Sequence, residues 1–309
     1  MLKYALVFSG QGSENVGMFN DFFKEPTELN ELVNVVNSRT GLDLNDIILS
    51  KDKTVIAANN QLLLCIFHHL MSTIVVKKIG YPPDICMGHS FGQFSALVAS
   101  GSVKLEDMAK LIFERTRIIN SPDIKVQAIF KSIHGMKISE FEEMKKNEKL
   151  EDTVVLALHN QEEQVVVAVT ADGDEKLKEI LPKYKFIIKE LNVSRPYHTS
   201  FMTEYNELLL PYVREINFLK PKCPVIVNST AELTADEHVL SEEVKIQMIK
   251  PVYWYDSVKK VSEIVDVIIV IDPGDTQLKI ISRISDKKIY NVCNLGTVRI
   301  IERQGLRNV

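Results

Sequence analysis

Ser90, bracketed by glycines in Gly88-His89-Ser90-Phe91-Gly92, fits G-x-S-x-G and lies between two segments of different periodicity. Asp84-Ile85-Cys86-Met87 ahead of it is a short buried-strand candidate. Behind it Phe94, Leu97 and Val98 recur at helical spacing, with small Ala96, Ala99 and Ser100 between them. Strand, sharp turn and helix would set the hydroxyl on a strained elbow above a helix N-terminus, whose amides can stabilise an oxyanion. A nucleophilic serine is the expectation, and a glycine-bracketed loop serine is the plain alternative. A second Gly-rich turn, Phe8-Ser9-Gly10-Gln11-Gly12-Ser13, follows the first strand candidate directly. Such turns expose backbone amides at the carboxyl edge of a parallel sheet, where ligands bind. It lacks the G-K-[ST] of a phosphate loop and the G-x-G-x-x-G of a dinucleotide turn.

The elements that must position these turns alternate along the chain, which argues for an α/β protein with a mostly parallel sheet. Strands are expected over 3–8, 84–87, 224–228, 266–271 and 288–293. Helices are expected over 26–38, 59–77, 91–100, 105–119, 201–215, 241–248 and 255–263. Residues 125–194 read differently. Strands over 126–133, 154–158, 164–169 and 186–191, with helices over 138–147 and 173–182, give the β-α-β-β-α-β order of a ferredoxin-like unit. A small subdomain, 125–194, therefore interrupts a large discontinuous domain made of 1–124 and 195–309.

Composition narrows the function classes. The 309 residues, 45% hydrophobic and 25% charged, suffice for a full core. A net charge of -4 gives no reason to expect nucleic acid or an anionic membrane as partner. Cys65, Cys86, Cys223 and Cys293 are scattered without metal-ligand spacing, so no metal is expected, and reduced thiols in the cytoplasm are the default. No signal peptide is read ahead of the first strand. The apolar run judged strongest, Val265 to Ile271, is far shorter than the ~20 residues a bilayer needs. The sequons at Asn192 and Asn228 are taken as chance.

Gly10-Gln11-Gly12-Ser13 and Gly88-His89-Ser90-Phe91-Gly92-Gln93-Phe94-Ser95-Ala96-Leu97 together resemble the malonyl-CoA:acyl carrier protein transacylase family. The likeness continues through Phe113-Glu114-Arg115-Thr116-Arg117, through the segment around Arg195-Pro196-Tyr197-His198-Thr199-Ser200, through Gln247 to Trp254, and into Asp272-Pro273-Gly274. It implies an α/β-hydrolase-like large domain with a nucleophile elbow, beside the ferredoxin-like subdomain. It also implies a malonyl transfer from malonyl-CoA to an acyl carrier protein, with malonyl-CoA as substrate and no cofactor. Ser90 would be the nucleophile of a ping-pong exchange and His198 its base and acid. A main-chain carbonyl near Gln247 would orient the histidine, making a dyad. The amides of Gln11 and Phe91 would hold the oxyanion, and Arg115 would bind the malonyl carboxylate in a planar fork. A two-residue shift of register would give that role to Arg117. Tyr197 would crowd an α-methyl group, and Asn160 and Gln247 are further substrate-binding candidates.

Departures from the family pattern are Gln93 for Glu, Ser9 for Pro, Val169 for Gly and Asp272 for Gly, the last placing a negative charge near the sheet edge. Three other readings stay open: an acyl hydrolase acting on carrier-bound acyl groups, a general serine esterase, and a non-catalytic carrier-binding module. An acidic carrier protein would need a basic rim, for which Lys183, Lys185, Lys189 and Arg195 are candidates. A monomer is the simplest expectation; the carrier's pathway, fatty-acid or polyketide, stays open, with the departures favouring a free-standing polyketide-type enzyme over fatty-acid synthesis by a small margin.

Overall fold

A run of apolar residues buried on both faces is how a central strand of a parallel sheet reads, and Tyr4-Ala5-Leu6-Val7-Phe8 is buried at every position. A computed structural model of the chain describes residues 2–24, 27–121, 128–193 and 195–303. In chain order its strands are β1 (Tyr4–Phe8), β2 (Ile85–Gly88), β3 (Ile129–His134), β4 (Val154–Gln161), β5 (Gln164–Val169), β6 (Ile187–Leu191), β7 (Val225–Ile226), β8 (Leu233–Thr234), β9 (Val267–Ile271) and β10 (Lys288–Val292). The larger sheet has the order β10-β9-β1-β2-β7-β8 and is parallel except for the β7–β8 pair. Val265 to Ile271, read as an apolar run, is thus mostly β9, a strand beside β1. β1 and β2 are neighbours in register, with Phe8 opposite Gly88, so the two Gly-rich turns leave the sheet side by side.

Helix Asn60–Ile79 is the last of the helices between these two strands, and Gly80 ends it in the left-handed conformation at φ +91°. With a mean hydropathy of 1.6 it is, among the described residues, the one helix long and apolar enough to cross a membrane. The expectation that Val265 to Ile271 is the strongest apolar run is corrected by this helix. Its apolar character reflects packing inside the fold: Leu63, Leu64, Ile66 and Phe67 are fully buried, and it contacts helices Gly92–Ala99, Leu105–Ile119 and Leu295–Arg303.

The second sheet is antiparallel with order β4-β5-β3-β6, the ferredoxin-like arrangement. Phe141 and Met144 of helix Ile138–Asn147 and Leu177 of helix Ala171–Tyr184 pack on one face with Ile133 and Val167. Phe130, Ala157, Val166 and Ala168 form a separate cluster. A parallel bridge joins β4 to the segment of the large lobe just ahead of helix Trp254–Ile264, where the Val252 amide donates to Ala157 O at 2.9 Å and the His159 amide to Val252 O at 2.8 Å. The expected subdomain boundaries near 125 and 194 lie outside the described residues, as does the start of the strand expected over 126–133.

Helices Leu44–Leu49, Lys53–Ala58, Thr276–Ile281 and Leu295–Arg303 stand outside the expected set, and two expected elements shift for local reasons. The helix expected over 241–248 spans Glu237–Ile246, because the Asp236 carboxylate accepts from the amides of His238 and Val239 and starts it early. The strand expected over 224–228 keeps only Val225–Ile226, and the chain then turns back into β8, a strand outside the expected set.

Candidate active site

Ser90 has φ +52°, a conformation a non-glycine residue holds only where its surroundings impose it. Close packing imposes it here. A Cβ on Gly88 would lie 2.0 Å from the Gly92 carbonyl, and one on Gly92 would lie 2.3 Å from Phe8 O. The His89 amide donates to Phe8 O at 3.0 Å, which ties the turn to β1. Within the turn, Gly92 N donates to His89 O, Gln93 N to Ser90 O and Phe94 N to Phe91 O. Those bonds do not use the Phe91 amide. Asn228 Nδ2 donates to Gly88 O at 2.7 Å, and the buried Glu243 carboxylate accepts from the Asn228 and Ser229 amides.

His198 approaches from the other half of the large lobe. Its amide donates to Met248 O at 2.7 Å, its φ is +65°, and its Nε2 stands 2.6 Å from Ser90 Oγ. The other ring nitrogen, Nδ1, is 2.9 Å from Gln247 O. A carbonyl only accepts, so Nδ1 carries the proton and Nε2 turns its lone pair to the serine hydroxyl. Gln247 Nε2 in turn donates to Ser90 O at 3.1 Å. No carboxylate bonds to the ring among the described residues. Burial pushes the His198 pKa down to about 3; Arg115 and His89 add to this and the bond to Gln247 opposes it.

Arg115 lies on the inward face of helix Leu105–Ile119, in register with Leu111, Ile112 and Ile118, and is 3% exposed. Its Nη1 donates to Gln61 Oε1 at 2.5 Å, and Gln61 Nε2 donates to Gln11 Oε1 at 2.9 Å. The guanidinium carbon is 5.1 Å from the Tyr197 ring centroid and 5.7 Å from that of Phe94. Among the described residues it has no acidic partner, and its Nε is buried without an acceptor. Burial lowers its pKa. Arg117 is on the surface, paired with Glu114 at 2.8 Å and Tyr212 at 3.1 Å, so the two arginines have separate settings.

A cavity of about 400 Å³ opens over the serine, lined by Gln11, His89, Ser90, Tyr197 and His198 from one side and by Phe130, Leu158, Val166 and Leu191 from the small sheet. Of the remaining candidates, Asn160 sits on β4 with Oδ1 3.0 Å from His89 Nε2, and does not line the cavity. Asp272 is fully buried; its carboxylate accepts from the amides of Gly274 at 3.0 Å and Gln277 at 3.1 Å, so its charge is absorbed by a turn. Gln93 is also fully buried, with no partner for either side-chain polar atom among the described residues. Of the candidates for a basic rim, Lys183 bonds Glu148, and Arg195 keeps its charge while its Nε donates to Ile119 O at 3.2 Å.

Sequence reasoning missed Gln61, Asn228 and Glu243. Gln61 is a buried polar residue opening an apolar helix, a signal that was available. Asn228, taken as part of a chance sequon, is 2% exposed and holds the elbow. Glu243 had no local signal.

The acyl transferase domain family matches residues 5–294. A malonyl CoA-acyl carrier protein transacylase of Staphylococcus aureus is 25% identical over 307 residues, covering 97% of this chain and 98% of the relative. A solved structure of MCAT from Streptococcus pneumoniae superposes with a TM-score of 0.89 at 23% identity, covering 98% of this chain and all of that one. The malonyl CoA-acyl carrier protein transacylase from Clostridium perfringens superposes with a TM-score of 0.88 at 23% identity, over 98% and 96% of the two chains.

Proposed function

This chain belongs to the acyl transferase family, and we propose that it moves a malonyl group from malonyl-CoA to the phosphopantetheine thiol of an acyl carrier protein through an ester on Ser90. The observation that carries the reading is Arg115. A guanidinium removed from water without a carboxylate of its own, stacked on the Tyr197 ring and acting on the charge of His198 from just behind the residues that line the cavity, suits a substrate that brings the carboxylate with it.

Ser90 Oγ attacks the thioester carbonyl as its proton passes to His198 Nε2, and the Gln247 carbonyl keeps Nδ1 protonated so that the receiving lone pair is in place. The amides of Gln11 and Phe91, one from each Gly-rich turn, receive the developing oxyanion; donors of this kind contribute about 2.7 to 4 kcal/mol in the transition state. Collapse breaks the carbon–sulfur bond, and His198 returns the proton to the coenzyme A thiolate. The carrier thiol then gives its proton to His198, attacks the ester carbon, and Ser90 leaves with that proton. Gln247 acts through the histidine and the serine main chain. Tyr197 lines the cavity, and a ring there that crowds an α-methyl branch would favour malonyl over methylmalonyl groups.

Intact mass after brief exposure to malonyl-CoA tests the proposal. A malonyl adduct that requires Ser90, is absent with Arg115→Ala and passes to a carrier protein is the expected result. An adduct lost to water instead points to a hydrolase, and no adduct at all points to a binding module.

A further inference from the structure

His68 is fully buried, yet the chemistry above does not use it. It lies on helix Asn60–Ile79, two turns after Gln61 and on the same face, and that face meets the first Gly-rich turn at both positions. Gln61 holds the Gln11 side chain, while His68 Nε2 is 3.1 Å from Ser9 Oγ. On the opposite side of the ring, Nδ1 is 2.9 Å from Ser95 Oγ, which belongs to the helix that starts at Gly92. The chain of contacts continues from Ser9 Oγ to Ser13 Oγ at 2.8 Å, and from Ser13 Oγ to Gly10 O at 3.2 Å. One imidazole thus spans the turn that carries Gln11 and the helix that follows Phe91.

Resting on the reading that these two amides hold the oxyanion, we infer that His68 is a positioning residue which sets the spacing between the two halves of the oxyanion hole. A neutral imidazole offers one donor and one acceptor on opposite edges, so a hydroxyl on each side satisfies it. Burial keeps it neutral, pushing its pKa down to about 3. The first turn needs such a brace because Gly10–Gly12 has no strand or helix bonds of its own, and Gly12 stands at φ +99°. Oxyanion donors act only when held at the position the charge will reach, so slack between the turns lowers the rate of acylation and leaves ground-state binding at Arg115 alone.

The test compares His68→Leu, Ser9→Ala, Ser95→Ala and the His68→Leu/Ser95→Ala double variant of the full chain by steady-state kinetics on malonyl-CoA and a carrier protein. His68→Leu is expected to lower kcat about tenfold while KM for malonyl-CoA stays within about twofold. Adding Ser95→Ala to it is expected to cost nothing further, because the serine then has no ring to brace. An unchanged kcat in folded His68→Leu protein, a loss confined to KM, or losses that multiply in the double variant each overturn the positioning role. If His68→Leu does not fold, the two serine variants and their double carry the same comparison with only a hydroxyl removed at each site. Wild-type protein that forms no adduct at Ser90 defeats the transferase reading and this inference with it. Wild-type protein that acylates normally beside an equally fast His68→Leu variant defeats this inference alone.

Discussion

Arg115 donates to Gln61 at 2.5 Å and meets no acid among the described residues, although it is 3% exposed. A buried charge that meets one amide and two aromatic rings but no acid is a cost to the empty protein and an asset to a carboxylate ligand. Arg115→Met is therefore expected to leave the melting temperature unchanged or raise it, while kcat/KM for malonyl-CoA falls at least about 100-fold, the equivalent of about 2.7 kcal/mol. Arg115→Lys should recover little, since an ammonium cannot reproduce the planar fork. Parallel assays with malonyl-CoA and acetyl-CoA check this. Equal losses on both substrates would mean that the arginine is structural.

The buried histidines predict how acid acts on the protein. His198 and His68 both have pKa values pushed by burial to about 3, below the unfolded 6.5. Between those values the unfolded chain binds more protons, so stability is complete above pH 6.5 and falls as pH drops toward 3, each histidine contributing about 1.4 kcal/mol per pH unit. Glu243, raised by burial, works in the opposite direction by favouring the folded state as pH falls toward its ordinary range. Chemical denaturation at pH 7 and pH 5 should show the loss, and a flat profile contradicts it. In short assays on folded enzyme the acid limb of kcat/KM should lie well below pH 6.5, because His198 remains an unprotonated base there.

How much of this was legible depended on whether the signal was local. The elbow was, because the glycines, the apolar strand and the small-residue helix are contiguous and their packing leaves little choice of residue. Arg115 was legible in kind, and the periodicity of helix Leu105–Ile119, which buries Met108, Leu111, Ile112 and Ile118 on the side of Arg115, separates it from Arg117. The His68 brace was not, since a histidine among leucines reads as core and its partners Ser9 and Ser95 are 59 and 27 positions away. Cys86 and Cys223, taken as scattered, meet with sulfurs 3.4 Å apart across 137 positions. Asp272 stands at the sheet edge as read, directly after β9, but is buried with its carboxylate taken up by the amides of Gly274 and Gln277, a partnering that depends on the fold.

Gln247 separates what a side chain does from what a main chain does. Its carbonyl orients His198 at 2.9 Å, and its amide group donates to Ser90 O at 3.1 Å. Gln247→Ala keeps the first contact and removes the second, a neutral hydrogen bond worth about 0.5 to 1.5 kcal/mol. The expected fall in kcat is therefore less than about tenfold, far smaller than for His198→Ala. A loss as large as that of His198→Ala would place the side chain, rather than the carbonyl, in control of the ring.

The two Gly-rich turns are expected to fail differently when a methyl is added. Gly92→Ala would drive a Cβ to 2.3 Å from Phe8 O and 2.7 Å from Ser9 O, backbone atoms that cannot swing aside. The elbow must open, and a loss of about 3 kcal/mol or more is expected together with loss of Ser90 acylation. Gly12→Ala meets nothing within 4 Å and has only its φ of +99° to strain, so about 1 to 2 kcal/mol is expected with the Ser90–His198 pair intact. Denaturant midpoints and acylation rates of both variants, measured side by side, decide it. A Gly92→Ala protein that acylates at the wild-type rate would show that the close approach of β1 to the elbow does not hold the serine in place.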